Sequence, residues 1–363
     1  MWITSSLETV LTPTAVALGN FDGLHRGHQR VVQPILNSPT TPSTVAPHQG
    51  SKVLLAQPQF PPSVSAPVPS NPATVSASDT EAAQRCYGTV VTFYPHPRTF
   101  FTGEAKPLLT PIDEKVDMLR KLGADQLVLL PFNQALAALT PEQFVEQILI
   151  QQLQARRISV GFDFQFGKGR AGNVVDLQKI AARSGVEVII VPRYSCDQGD
   201  RISSSLIRQA LQQGEIERAN HLLGRPYVLQ GSVVKGQQLG RTLGFPTANL
   251  QLPAEKFLPR FGVYAVWVTL PTVPTTMTSP SPVMGVMNIG CRPTVEGEQV
   301  TVEVHLLHWS GDLYGQLVSV ELIDFLRPEH QFPSVEQLKT QIQADCVRAV
   351  EVLQRSQFSG TAD

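Results

Sequence analysis

The chain has 363 residues, a net charge of −1 and 42% hydrophobic residues. That length predicts two domains, the apolar share excludes wholesale disorder, and near neutrality gives no electrostatic footing for nucleic acid or an acidic membrane. Of 29 prolines, 13 fall within 38–85 and 271–282. Both segments lack an apolar period and read as flexible insertions in surface loops, where added length costs little. The opening MWITSSLETVLTP has neither the basic nor the apolar region of a secretory leader. No apolar run approaches the ~20 residues of a bilayer span, and Cys86, Cys196, Cys291 and Cys346 form no CxxC pair. The expectation is a cytoplasmic protein with reduced thiols.

Thr14–Gly19 reads as a short apolar strand, running through Asn20, Phe21, Asp22 and Gly23 into a helix that opens near Gly27. Gly88–Tyr94 is a second, β-branched strand. A helix follows with Thr110 as its N-cap, Pro111 in its first position and Gly123 at its end. Gln126–Leu130 is the next strand, and Thr140, Pro141 and Gln143 repeat the helix-start signal before residues 144–153. Then come a strand over 158–162, a helix over 173–185, a strand over 186–191 and a helix over 204–214. Strands alternating with helices predict an open parallel α/β sheet over 1–214. After a linker helix in 215–226 the texture changes to short strands: Tyr227–Val234, Gly262–Thr269, Val283–Ile289, Val300–Leu307 and Gln316–Leu322. Ser334–Gln354 is helical, with Ser334 and Gln337 as a capping box. Residues 227–356 therefore read as a small antiparallel β-barrel or sandwich with a C-terminal helix, and 357–363 as a flexible tail.

Gly19–His28 follows a strand and opens a helix, whose N-terminus offers unpaired N–H groups and a positive dipole end to phosphate. Gly27 permits close approach to the backbone, and His25 and His28, three apart, can point to one site and donate to phosphate oxygens. Ser203, Ser204, Ser205 and Arg208 bring hydroxyls and a guanidinium to a second helix start, although alone they would pass for an ordinary cap. Gly167–Gly172 also satisfies GxGxxG, a pattern too weak alone to define a dinucleotide site. In the second half, Lys235, Gly236, Gly240 and Arg241 belong to a glycine-rich loop. It leads to rigid Pro246 and then to Thr247 and Asn249, oxygen donors suited to Mg²⁺ near phosphate. Glu303 alone reads as a surface carboxylate on a strand face.

The element His25–His28 and the run Ile202–Arg208 resemble the HxGH and ISSTxxR signatures of the nucleotidyltransferase superfamily, with Ser205 in place of the usual Thr. Thr92–Pro97 and Val160–Gly167 narrow the likeness to bacterial bifunctional riboflavin kinase/FAD synthetases. Lys235–Asn249 resembles the riboflavin kinase signature of that family, continued by Gly262–Ala265, Asn288–Thr294, Val302–His305, Gly311–Gly315 and Phe325–Glu329. The resemblance implies a nucleotidyltransferase domain, Rossmann-like with an open parallel sheet, followed by a small antiparallel β-barrel with a C-terminal helix. It implies that the C-terminal domain phosphorylates riboflavin with ATP to FMN, and that the N-terminal domain adenylylates FMN to FAD, releasing pyrophosphate.

Thr247 and Asn249 would then hold Mg²⁺ and nucleotide phosphate, and Glu303 would be the general base. His25, His28, Ser204 and Arg208 would steady charge on phosphorus and pyrophosphate. Gly19, Phe21, Asp22, Gly27, His96, Asp163, Ser203 and Ser205 in the first domain would contact nucleotide or flavin. So would Lys235, Gly236, Gly240, Arg241, Pro246 and Arg327 in the second. Pro34 falls inside the helix after His28, and His308–Trp309 replaces the family's usual Asp-Phe. The expected partners are small molecules (riboflavin, FMN and ATP), without nucleic acid, membrane or an obligate protein. The rival readings are a monofunctional riboflavin kinase, a non-catalytic flavin-binding protein, and a transferase acting on another phosphate ester.

Overall fold

The computed structural model describes residues 1–36, 85–195, 199, 201–236, 239–270, 281–294 and 297–359. Apart from Arg85, Ser281 and Pro282, the two expected proline-rich insertions lie outside the described residues.

Among the described residues of the first half, six strands form one parallel sheet in the order β1-β4-β3-β2-β5-β6. They are β1 (Trp2–Thr4), β2 (Thr14–Leu18), β3 (Tyr87–Tyr94), β4 (Gln126–Pro131), β5 (Ala155–Gly161) and β6 (Glu187–Val191). All five residues of β2 are buried, the continuous apolar pattern of a strand covered on both faces. The short edge strand β1 carries no period long enough to read. Helices α1 (Arg26–Leu36), α2 (Pro97–Thr102), α3 (Ile112–Leu122), α4 (Phe144–Gln152), α5 (Val174–Ala182), α6 (Ser204–Gln213) and α7 (Ile216–Leu223) belong to this half, with a further short helical turn at Gln134–Ala138. α1 continues to Leu36 through Pro34. The Thr140–Gln143 capping box forms, and α4 behind it winds as a π-helix. α3 starts one residue later than expected, with Pro111 flanking it. Thr110 does not cap it: its Oγ1 instead accepts the Gly23 N–H at 2.8 Å.

The chain leaves β2 toward β3 on one side and later returns to add β5 on the other. That reversal opens a crevice at the carboxyl ends of β2, β3 and β5, where doubly wound sheets bind ligands.

The second half closes into a barrel, resolving the choice between barrel and sandwich, in the order β10-β11-β8-β7-β12-β9. Its strands are β7 (Tyr227–Val234), β8 (Ala248–Gln251), β9 (Gly262–Thr269), β10 (Val283–Thr294), β11 (Gly297–Leu306) and β12 (Leu317–Pro328). A short helix, α8 (Leu239–Leu243), precedes β8, a strand that the sequence hid inside its glycine-rich motif. Val302, Val304 and Leu306 fill the interior of the barrel, so the alternate residues of β11 face outward. Helix α9 (Val335–Ser359) lays Ala349 and Leu353 against Val263, Ala265 and Val286 of the wall. It runs to Ser359, beyond the start of the expected tail, and 360–363 lie outside the described residues.

One apolar core joins the halves. Leu109, Ile207, Leu211 and Leu222 pack in the same cluster as Tyr227, Val320 and Leu322 of the barrel. Asn220 of α7 stitches across, donating to Leu322 O at 2.8 Å and accepting from Tyr227 N at 2.7 Å. No helix among the described residues is long and apolar enough to cross a membrane.

Candidate active sites

At the carboxyl edge of the sheet lies a cleft of about 810 Å³, lined by Gly19, Phe21, Asp22, His25, Gly27, His28, His96, Asp163 and Ser203 to Ser205, among others. Its floor is the turn after β2. Phe21 and Leu24 hold left-handed backbone angles there while their side chains are buried. Such strain persists only where the surroundings impose it, and here they do. Thr92 Oγ1 and Lys115 Nζ donate to Asn20 O at 3.2 and 2.9 Å. Ser204 Oγ donates to Asp22 O at 2.8 Å. The Asp22 carboxylate accepts the N–H of Leu109 at 2.8 Å and of Thr110 at 3.3 Å, and its other oxygen pairs with Arg208.

The rings of His25 and His28 stack, with centroids 3.7 Å apart and planes 13° from parallel. The His28 N–H donates to His25 Nδ1 at 3.2 Å, so a neutral His25 carries its proton on Nε2. A methyl group at Gly27 would sit 3.2 Å from that Nδ1, which is why glycine stands under the ring. Burial pushes His25 down to about 4, partly offset by the Asp22 carboxylate. Burial also holds His28 well below the usual imidazole range, helped by His25 and Lys115. Both rings are therefore neutral at pH 7 before any anion arrives.

The remaining residues of the first motif set divide. Ser203 Oγ caps α6 by accepting Leu206 N at 3.2 Å, whereas Ser205 is exposed on the cleft wall. Arg208 stands behind Asp22, with Pro107 O as a further acceptor at 3.0 Å. His96 caps α2, its Nδ1 accepting Arg98 N at 3.1 Å, and burial lowers its basicity. Asp163 pairs with Arg201, and Arg193 and Arg201 both lie over the Phe162 ring.

Two features escaped sequence reasoning. One is buried Lys115, which sits among ordinary-looking helix residues. The other is the apolar wall of Phe93, Phe101, Phe132, Phe144 and Phe166 along the cleft, edge-to-face where Phe132 meets Phe93 and Phe101. Its members come from separate elements, so no local spacing reveals them. The GxGxxG run binds no helix end of its own: Asn173 caps α5 at Val175 and Asp176, and Gly167 and Gly172 make room for Pro141.

The second site lies on the outer wall of the barrel. Asn288, Glu303 and Asn249 are direct partners across β10, β11 and β8, and directly opposed residues share one face. Asn288 belongs to this row although only its motif, not its role, was legible. Thr247 Oγ1 lies 3.4 Å from Glu303 Oε2. Gly236 and Gly240 approach the row closely. A side chain at Gly236 would collide with the Asn249 amide, and one at Gly240 with Phe245 O. Pro246 O is 2.8 Å from His305 Nδ1. Lys235 and Arg241 are exposed at the rim. Arg327, expected at the flavin, is paired two-fold with Asp345 of α9 at 2.8 to 3.0 Å.

Among the described residues no three His, Cys, Asp or Glu side chains gather as a metal centre. The hydroxyl, amide and carboxylate oxygens of Thr247, Asn249 and Glu303 do fit Mg²⁺, which keeps waters and phosphate oxygens and needs few protein ligands. A switch-point cleft with donors for phosphate, and an oxygen-rich row under a glycine loop, define a nucleotide-dependent transferase with two sites.

Known proteins agree with that class. A family model described as FAD synthetase matches residues 7–46 and 75–206, and one described as riboflavin kinase matches 223–353. The bifunctional riboflavin kinase/FMN adenylyltransferase of Escherichia coli K12 is 36% identical over 93% of this chain and 91% of its own length. The Haemophilus influenzae protein of the same description is 35% identical over 93% of both chains. That of Bacillus subtilis is 32% identical over 93% of this chain and 92% of its own. A crystal structure described as a macrolide-efflux protein from Streptococcus pneumoniae superposes with a TM-score of 0.71 at 28% identity, covering 94% of this chain and 96% of that one. The chain belongs to the bifunctional riboflavin kinase/FMN adenylyltransferase family.

Proposed function

We propose that the two reactions of this family, ATP-dependent phosphorylation of riboflavin to FMN and adenylylation of FMN to FAD, run at separate sites of this chain. Residues 227–356 carry the kinase and 1–214 the adenylyltransferase, with 215–226 between them. Riboflavin, FMN and ATP are the small-molecule partners. The cytoplasm, where ATP is supplied, is the proposed location, in keeping with the free thiols of Cys86 and Cys346; Cys196 lies outside the described residues.

The observation that carries the kinase assignment is the row Asn288–Glu303–Asn249 with Thr247 beside it. Glu303 takes the proton of the riboflavin 5′-hydroxyl as its oxygen attacks the γ-phosphorus of ATP and ADP leaves. Thr247 and Asn249 would hold Mg²⁺, which when bound neutralises phosphate charge. Gly236 lies against Asn249 and Gly240 against Thr247, close enough to the row for these two glycines to cover the nucleotide phosphates.

In the other cleft, an FMN phosphate oxygen attacks the α-phosphorus of a second ATP and pyrophosphate leaves. The attacking oxygen is already anionic, so no base is needed and catalysis reduces to positioning and charge stabilisation. Neutral His25 can donate from Nε2 to a phosphate oxygen, and His28 stacks beside it. The N-terminus of α1 adds its dipole. Asp22 is too fully engaged by Arg208 and two backbone N–H groups to act as a base, and serves to hold Arg208 and the turn. The phenylalanine wall matches the apolar ring system of a flavin.

Purified protein with riboflavin, ATP and Mg²⁺ should form FMN and then FAD, resolved by chromatography. FMN accumulating without FAD would establish the monofunctional alternative. Glu303→Ala should lower FMN formation by about 10²-fold or more and leave FMN-to-FAD conversion near wild type. His28→Ala should do the reverse. If either variant spares the reaction assigned to its site, that assignment is wrong.

A further inference from the structure

The turn that carries Asp22 is braced from the barrel. Residues 107–110, between α2 and α3, form a bracket with two faces. On one face the N–H groups of Leu109 and Thr110 donate to Asp22 Oδ1, and Thr110 Oγ1 accepts from Gly23 N. On the other, Leu108 pairs with the barrel segment between β8 and β9. Leu108 N donates to Glu255 O at 2.6 Å, and Phe257 N donates to Leu108 O at 2.8 Å.

Lys256, 5% exposed, extends its ammonium across the boundary between the halves. It donates to Leu109 O at 2.8 Å and pairs with Glu114 Oε2 of α3 at 2.5 Å. Leu109 C=O and Thr110 N–H are the two ends of one peptide group. The cation on the carbonyl therefore polarises the amide that faces Asp22. Phe257 completes the contact, with the Arg208 guanidinium 5.5 Å from its ring centroid.

We propose that Lys256, a residue of the barrel, is a positioning residue for adenylyl transfer in the other half. It fixes the bracket, the bracket fixes the Asp22 carboxylate, and Asp22 fixes Arg208 and the turn leading to His25 and His28. The inference rests on the reading of that turn as the adenylyl-transfer site. The phenylalanine wall takes no part in the brace, so the effect falls on turnover rather than on flavin binding. Among the described contacts, none joins Lys256 to Thr247, Asn249 or Glu303.

The test uses the full chain, with FMN-to-FAD and riboflavin-to-FMN turnover measured separately. Lys256→Met should lower kcat for FAD formation by about 10- to 100-fold, the cost of a small misplacement at a reacting centre. KM for FMN should stay within about threefold and riboflavin phosphorylation within about twofold, both far below the effect of that misplacement. Because Lys256→Met strands Glu114, a second variant, Lys256→Met with Glu114→Met, replaces the buried pair by apolar groups of similar size, a change usually tolerated in folding. It should show the same selective loss. Equal loss of both reactions in these variants, or FAD formation restored in the double variant, would overturn the proposal. Asp22→Asn and Arg208→Met separate the two levels. If they leave FAD formation intact, the site reading itself fails. If they abolish it while Lys256→Met does not, only the brace fails.

Discussion

The neutral state of His25 and His28 has a measurable consequence. Burial depresses both, His25 to about 4. Triphosphate arriving beside them favours the protonated form. In the window between that low value and the raised value of the complex, the complex binds more protons than the free enzyme. ATP affinity therefore rises as pH falls through this window and is flat above it. Calorimetric titration of ATP near pH 6, in two buffers of different ionisation enthalpy, should register proton uptake that His25→Asn or His28→Asn diminishes. Identical heats after buffer correction for all three proteins would refute the linkage. At this scale the sequence was half legible. The spacing of the histidines and the glycine between them pointed to one place, and stacked rings now occupy it. It did not reveal which hydroxyls were already spent. Ser203 and Ser204 look alike in the chain, yet one caps a helix and the other pins Asp22 O. Nor did it reveal that Arg327 pairs with Asp345 of α9, since a partner in another element leaves no local trace.

Elements decide the second site. Glu303 reads as a surface carboxylate until β11 is paired on both sides; register then sets Asn288 and Asn249 against it. β8 was missed because its four residues sit inside a loop motif, and short strands draw their stability from neighbours rather than from pattern. Apolar and β-branched runs did reveal the long strands, and capping signals revealed the turn before α4 and the start of α9. Thr110 misled because a distant turn claims its hydroxyl. The glycine loop gives the cleanest test here. Gly236→Ala must displace the Asn249 amide. It should lower FMN formation by about 10-fold or more, and leave FMN-to-FAD conversion unchanged. Wild-type kinase rates in that variant would show that the loop does not depend on this close approach.

For the whole molecule, the two halves share one apolar cluster. Halves joined only by a tether unfold separately, whereas halves that share buried side chains unfold together. Scanning calorimetry of the full chain should give one cooperative transition, with Lys256→Met and Leu222→Ala both lowering it as a unit. Two separated transitions would refute that coupling. The shared core also bears on how such a protein is inherited. A break between residues 223 and 227 would strip Ile207, Leu211 and Leu222 of their cover on one product, and Tyr227 and Leu322 on the other. Gene fission at this point would yield two sticky polypeptides rather than two enzymes. A lineage that parted these activities would first have to repaint that surface with polar side chains.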